Sequence, residues 1–314
     1  MIFQVIRAEL FKAQHKRRVY VLAALQWLLL PVLALLVGWV LQVNMLDSFA
    51  DEGGGVRASI QAIASPFGIA RLALVLPTLL APPFLIIVIA LLAALLIGEE
   101  RAQNMWKTVL VAQPWRPGVM LGKLIAAMLL LAMLMLGSYV SGVVFGGLGS
   151  FFLVTDFSGE WWDLARLYAL QWLFAWAAML FAFVMVWLIR NLALAMVSIF
   201  FLPALFEGVY TIVQATVGFE RINRFNAIFQ ALRLRQRLED LPRYFFTNNL
   251  YFPSREPLGQ IVRSLGGDPG SDMGPLQNVF SLNVDMRHAA LVMAGYGVVF
   301  ALFLFWRFSR SDMN

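Results

Sequence analysis

Apolar and polar positions separate along the chain into long apolar runs joined by polar connections of unequal length. The runs are Val19 to Val43, Leu72 to Ile97, Leu121 to Leu148, Leu164 to Ile189, Leu192 to Val217 and His288 to Trp306. Each is close to or above the roughly 20 residues that a helix needs to cross about 30 Å of hydrocarbon. None shows the period of two that marks a barrel strand, and a helix satisfies its backbone polar groups within its own segment. The pattern predicts an all-α integral membrane protein with six transmembrane helices. Ahead of the first run, residues 1–18 place Ile2, Ile6, Leu10 and Ala13 on one helical face and Arg7, Lys12, Lys16 and Arg17 elsewhere, an amphipathic helix lying at the membrane interface. This basic start resembles the n-region of a signal peptide, but the apolar run behind it is too long for an h-region and reads as an uncleaved first span.

Two of the polar connections are large enough to carry function within the remaining unit, residues 19–314. Residues 99–120 are too polar to span, yet Met105, Trp106, Val109, Leu110 and Val111 allow a short amphipathic helix before Pro114 and Pro117. An exposed tryptophan there invites a partner. Residues 218–286, between the fifth and sixth spans, form an enlarged external segment. Arg224 to Leu241 carries helical spacing, the aromatic stretch RYFFTNNLYF follows Pro242, and GGDPGSDMGP reads as turns rather than as a calcium loop.

Composition and charge narrow the class. Hydrophobic residues make up 61% of 314 and charged residues 13%, with a mean hydropathy of +0.77, against about half and a quarter in soluble domains. An ordinary soluble enzyme is excluded. The formal charge of +6 would fit nucleic acid in a soluble protein, but here position assigns it to topology and anionic headgroups. With the N-terminus in the cytoplasm, Lys12, Lys16, Lys107 and Lys123 all fall inside, while Asp47, Asp51, Glu52, Asp156, Glu160 and Asp163 fall outside. Both termini are then cytoplasmic. The segment 218–286 holds eight arginines against seven acids, too long and too balanced to reverse the assignment. Trp39, Trp161 and Trp162 at one interface and Trp187 and Trp306 at the other fit aromatic belts.

Reactive chemistry is sparse. There is no cysteine, which removes disulfides, thiolate catalysis and cysteine-ligated metal. The phosphate-binding pattern G-x-x-x-x-G-K-[ST] is absent, since Gly118 to Leu124 has the wrong spacing and a leucine after Lys123. His15 and His288 are predicted near opposite faces and cannot share a metal; no metal and no cofactor is expected in this chain. Ser138, Ser141 and Ser198 are expected to bond helix backbone. Glu207, between Pro203 and Gly208, is the costliest intramembrane group. It either faces a translocation path or is a structural acid near the outer leaflet, paired with Arg71 or Arg166 or freed by an early helix end. Gly142 and Gly146 form a small-residue pair suited to close helix packing.

Two cytoplasmic stretches carry a resemblance. Arg7 to Arg18, with Glu9 and Lys12, is similar to the basic Glu-Leu-x-Lys element of the N-terminal interface helix in permease subunits of ABC-2 type exporters, including relatives tied to bacteriocin and lantibiotic immunity. Glu99, Glu100, Asn104, Met105, Trp106, Lys107, Pro114, Arg116 and Lys123 resemble the family's loop between its second and third helices, although Pro114-Trp115-Arg116 and Met105-Trp106-Lys107-Thr108 depart from the usual pattern. The resemblance implies a coupling helix near Arg101 to Ala112 that docks, with the interface helix, on a separate ABC ATPase subunit. It implies two ATPase copies that bind ATP and Mg, a second permease copy or paralogue, and contact with membrane lipid in the inner membrane. Trp106 would anchor the contact, with Glu9, Lys12, Glu99, Glu100, Met105, Lys107, Pro114 and Arg116 around it. The segment 218–286 is longer than in compact members. It keeps open a different role, that of a nontransporting ATPase-coupled scaffold acting on an external envelope protein. A stand-alone secondary transporter and a membrane-embedded enzyme rank below both.

Overall fold

A computed structural model of the chain describes residues 2–45, 61–79, 83–102, 115–153, 159–218, 240–264 and 285–310, and every element in them is helical. The chain opens with α1 (Ile2–Gln14), whose inward stripe is Val5, Glu9 and Ala13. That stripe differs from the purely apolar face read from the sequence, because Glu9 is drawn inward by a buried cation described below. Next come α2 (Arg17–Ala24), a π-helical turn (Leu25–Leu29) and α3 (Leu30–Met45), together long and apolar enough to cross a membrane over Arg17–Val43.

The second apolar run is not one helix. It divides into α4 (Pro66–Leu79) and α5 (Phe84–Ala93), the latter running through a second π-helical turn (Ala94–Gly98) into the short α6 (Glu99–Ala102). Pro82 and Pro83 explain the division. Neither has an N–H to donate to the helical ladder, and each disfavours the α conformation in the residue before it. Pro83 is extended, with ψ of 120°, and serves as the N-cap of α5. Among the described residues five helices are therefore long and apolar enough to span a membrane, namely Arg17–Val43, Pro117–Gly149, Trp161–Leu188, Leu192–Tyr210 and Met286–Arg310, and α4 falls short of that length by itself.

The remaining long helices are α7 (Arg116–Gly149), α8 (Trp161–Leu188), α9 (Leu192–Gly218) and, after a 3₁₀ turn (Leu241–Tyr244), α10 (Phe246–Leu250) and α11 (Phe252–Ser264), the C-terminal α12 (Met286–Arg310). Their directions define two ends. The base of the bundle holds α1, α6, the start of α7 and the end of α8, while the distal end holds Pro66, Gly149, Trp161 and Met286. Asn191 turns the chain tightly between α8 and α9, its Oδ1 accepting from the Ala193 and Leu194 backbone N–H groups at 3.0 and 3.2 Å.

α7 and α8 form the centre, with about two thirds of each span buried, whereas only 17% of the α9 and α12 spans is buried. Phe201, Leu205 and Phe206 on α9 and Leu291, Val298 and Leu302 on α12 consequently face outward, toward lipid or another subunit. In lipid there is no hydrophobic gain from pairing two apolar helices, so close approach and interhelical hydrogen bonds hold the bundle. Three ring donors supply such bonds to α7 carbonyls: Trp27 to Leu134 at 2.9 Å, Tyr168 to Ala132 at 3.0 Å and Trp172 to Met128 at 3.0 Å. Close approach is sharpest between α4 and α7. A Cβ on Gly142 would stand 2.8 Å from the Ala70 Cα, and one on Gly146 would stand 2.5 Å from the Pro66 Cα.

The described part of the segment between α9 and α12 packs among the spans. Phe246 lies against Phe181, Tyr296 and Phe300, with ring centroids 5.6, 5.3 and 6.1 Å away. At a rise of 1.5 Å per residue, Phe181 and Phe300 are roughly 20–30 Å along their helices from the distal end. Gln171, in the middle of α8, donates to Ser254 Oγ at 2.9 Å and to the Leu74 carbonyl at 3.1 Å, joining α11 and α4 through one amide.

The close contact of α4 with α7 predicts that Gly146→Ala lowers the thermal midpoint of the purified protein in detergent, corresponding to about 1–3 kcal/mol of overpacking. Gly147→Ala, where a Cβ meets nothing within 4 Å, should leave the midpoint unchanged.

Candidate functional site at the base of the bundle

The base of the bundle gathers charge into a protein interior. Lys123, two turns into α7, is fully buried, with relative exposure of 0%. An ammonium there costs several kcal/mol unless its donors are met, and among the described residues three oxygens stand in reach of its protons. It donates to Glu9 Oε1 and to the Leu96 carbonyl at 3.1 Å, and Glu100 Oε2 stands 2.9 Å away. Each partner comes from a different element. Glu9 is presented by α1, Leu96 by the π-helical turn and Glu100 by α6.

Local sequence explains how these groups meet. Gly122, beside Lys123, lets α1 lie on α7, since a Cβ there would stand 2.8 Å from the Val5 side chain. The π turn widens the helix so that the Glu99 N–H reaches back to the Ala94 carbonyl, five residues earlier. Leu95 and Leu96, in that turn, offer their carbonyls to lysines, Lys16 at 3.3 Å and Lys123 at 3.1 Å.

A second tier surrounds Lys123. Lys12 of α1 pairs with Glu100 and lies 3.9 Å from Glu9. Lys16 pairs with Glu99, which also accepts from Arg18 at 2.6 Å. Four cations and three carboxylates thus join α1, the start of α2, α6 and α7. Burial by itself would raise the Glu100 carboxyl, but the Lys123 charge and the hydrogen bonds from Lys12 and Lys123 outweigh it and hold the group below the ordinary glutamate range. Arg101, next in sequence, turns the other way. It donates to the Val186 carbonyl at 3.1 Å and to the Trp187 carbonyl, meeting orphan acceptors at the end of α8. Its guanidinium also lies 5.0 Å from the Trp187 ring centroid, and Trp187 in turn meets Phe308 of α12 edge-on at 5.0 Å.

The arrangement holds both ends of one loop. Residues 103–114 lie between α6 and α7, with Glu100 and Arg101 at their start and Lys123 shortly after their end. The ion pairs join the described residues on either side of 103–114 to α1, and Arg101 joins them to α8, whose Trp187 meets α12. No acid–base pair with an accessible reacting position is present in this cluster, and among the described residues no group of His, Asp and Glu is arranged to hold a metal ion.

Of the residues singled out from sequence, Glu9, Lys12, Glu99 and Glu100 are brought together here. Met105, Trp106, Lys107 and Pro114 lie outside the described residues, and Arg116 opens α7. Glu207 is elsewhere, in α9, where the Thr247 hydroxyl of α10 donates to it, and Gly142 and Gly146 face α4. Sequence reasoning placed Lys16, Arg18, Arg101 and Lys123 in the two polar stretches, with Lys123 closing the loop motif, but did not count them among the contact residues. The available signal for Lys123 was a lone lysine entering a long apolar run, which is costly in a membrane and marks function by default. For Arg101, Lys16 and Arg18 no signal distinguished these residues from the other cations of the two polar stretches.

The long apolar helices define a multi-pass membrane protein, with its buried ionic cluster gathered at one end. A family model described as ABC-2 family transporter protein matches residues 5–214, from α1 to within α9, and the chain belongs to that family. It is a permease component of an ABC transporter, the membrane-spanning part, for which an ABC ATPase partner is implied. No curated protein and no solved structure gives a significant match.

Two outcomes follow from the buried pairings. Lys123→Met strands Glu9 and Glu100 and should destabilise the protein by about 3–5 kcal/mol, read as a lower midpoint in detergent. Adding Glu9→Gln and Glu100→Gln to it should recover part of the loss, a non-additive result. Because the Glu100 carboxyl is held low, its stabilisation is complete above the ordinary glutamate value of about 4.3 and disappears as the pH falls through the lowered one. Glu100→Gln should therefore flatten the acid limb of stability against pH.

Proposed function

We propose that the chain is the permease subunit of an ATP-driven exporter, with α1 and residues 103–114 as the docking elements for a separate ATPase. Two ATPase copies bind ATP and Mg, and a second permease, identical or paralogous, completes the pathway. The membrane is the inner membrane, with both termini in the cytoplasm at the base of the bundle. α4 and α5 together supply the sixth crossing. The single observation that supports this reading most strongly is the tether of the loop at both ends, to α1 and α7 through Lys123, Glu9 and Glu100 and to α8 through Arg101. A closing ATPase pair that binds two permease states unequally shifts their populations through the docking elements, and the spans follow.

Docking and transmission are separable in this scheme. Trp106 is the anchor for the ATPase groove, an aromatic hot spot, with Met105, Lys107, Pro114 and Arg116 beside it. Arg101 transmits movement from the loop to α8. Cargo is a peptide, a lipid or a drug-like molecule. The packing of α10 and α11 between spans favours this transport reading over a scaffold for an external envelope partner, because a segment wedged among spans moves with them.

Co-purification of the assembled complex and its ATP hydrolysis provide the test. Trp106→Ala should lower recovery of the ATPase by about tenfold, the effect of losing roughly 1.4 kcal/mol at the contact. Arg101→Gln should keep normal recovery but leave hydrolysis insensitive to the cargo. Full assembly with Trp106→Ala together with intact coupling in Arg101→Gln would refute the assignment of both roles.

A further inference from the structure

At the distal end a cavity of about 150 Å³ opens between α4, α8, α11 and the start of α12, lined by Phe67, Arg71, Leu164, Pro253, Met286 and the charged trio Asp163, Arg166 and Glu256. Its lining combines two guanidinium groups with two carboxylates. Asp163, Arg166 and Glu256 are exposed toward it, Arg71 is half-buried, and none of the exposed trio takes part in an ion pair among the described residues. A water molecule needs roughly 10–15 Å³ of such space, so the cavity takes a group of several heavy atoms.

Position identifies the kind of ligand. Trp161 and Trp162 start α8 at the cavity's rim, exposed by 41% and 80%, and Phe151 and Phe152 follow the end of α7, exposed by 86% and 60%. Phe67, in the cavity wall, meets Trp161 edge-on at 5.8 Å. Aromatic side chains with one face in lipid and one edge in water collect at headgroup depth, so this mixed-charge cavity stands where phospholipid headgroups stand. Leu167 and Leu170 continue the lining along α8 with apolar surface. A soluble anion would be served by the arginines alone, and a soluble cation by the acids. A ligand that uses both carries a phosphate and an ammonium a few bonds apart.

We propose that this cavity binds the headgroup of a zwitterionic phospholipid of the phosphoethanolamine type, Arg166 and Arg71 receiving the phosphate and Asp163 and Glu256 the ammonium. Guanidinium groups match phosphate geometry with paired N–H donors, and a primary ammonium offers three donors to the two carboxylates. The bound headgroup sits against Pro253 and Pro257, at the start of α11, so lipid composition bears on how that element rests on α8 and α4. This goes beyond the ATP-driven reading and does not rest on it, since the site lies at the end of the bundle opposite the ionic base.

The experiment equilibrates the full-length protein in detergent with an equimolar mixture of phosphatidylethanolamine and phosphatidylglycerol and quantifies retained lipid by mass spectrometry. Phosphatidylethanolamine should be retained over phosphatidylglycerol by about fivefold, near 1 kcal/mol for two exposed charge pairs. Arg166→Gln should reduce retention of both lipids. Asp163→Asn with Glu256→Gln should abolish the preference while keeping total retention. All three positions are exposed, and an unchanged thermal midpoint checks that the variants fold. Soluble glycerophosphoethanolamine is the second arm. Weak displacement of lipid assigns the site to a membrane headgroup, and displacement at equal concentration shows that the same phosphate–ammonium chemistry is met by a free solute. Equal retention of the two lipids in the unaltered protein, or a preference untouched by Asp163→Asn with Glu256→Gln, overturns the proposal.

Discussion

The structure turns on one buried ammonium. Lys123 has no access to water, and the cost of that position is met only while Glu9, Glu100 and the Leu96 carbonyl stay in place. Each partner belongs to a separate element, so the requirement fixes the interface helix, the end of the second apolar run and the start of α7 relative to one another. A hydrophobic contact among the same elements would slide at little cost. A buried ammonium with defined acceptors does not, and it holds these elements in one arrangement.

From that point the connections run to the centre. Arg101 bonds the last carbonyls of α8, Trp187 packs on Phe308 of α12, and α7 runs from the base to the glycine contact with α4. The least buried helices, α9 and α12, are held to the rest partly through the segment between them, where Thr247 meets Glu207 and Phe246 fills the space beside Phe181 and Phe300. α10 therefore links the outward-facing helices to the central pair. Belonging to the ABC-2 transporter family gives this layout its context, a permease component for which an ABC ATPase partner is implied.

Much of the fold was legible in the sequence because lipid imposes a coarse rule on length and polarity. The spans at α7, α8, α9 and α12 could be placed within a few residues by apolar content alone. The division of the second run was legible in principle from Pro82 and Pro83, but hydropathy averages across them, and the prediction of a single helix over Leu72 to Ile97 followed from that averaging. The site was legible only in part. Glu9, Lys12, Glu99 and Glu100 stood out as charge in two polar stretches, whereas their common partner depended on Gly122 admitting α1 and on the π turn aiming Leu96, and neither is a pattern in one dimension. Glu207 stood out as a costly acid, but its partner Thr247 is 40 residues away in sequence and belongs to a segment read as external.

In the proposed function, the buried ionic base transmits ATP-driven movement to the spans. The absence of cysteine makes a direct measurement practical, because a single introduced cysteine at Phe151, exposed by 86% at the distal end, carries one spin label per permease. The distance between the two labels across an assembled pair, read by pulsed electron paramagnetic resonance, should change between the nucleotide-free complex and one trapped with ATP. In the variant combining Lys123→Met, Glu9→Gln and Glu100→Gln, the account predicts that the ATPase still binds and hydrolyses ATP while that distance no longer responds. A distance change of unaltered size in this variant would contradict it.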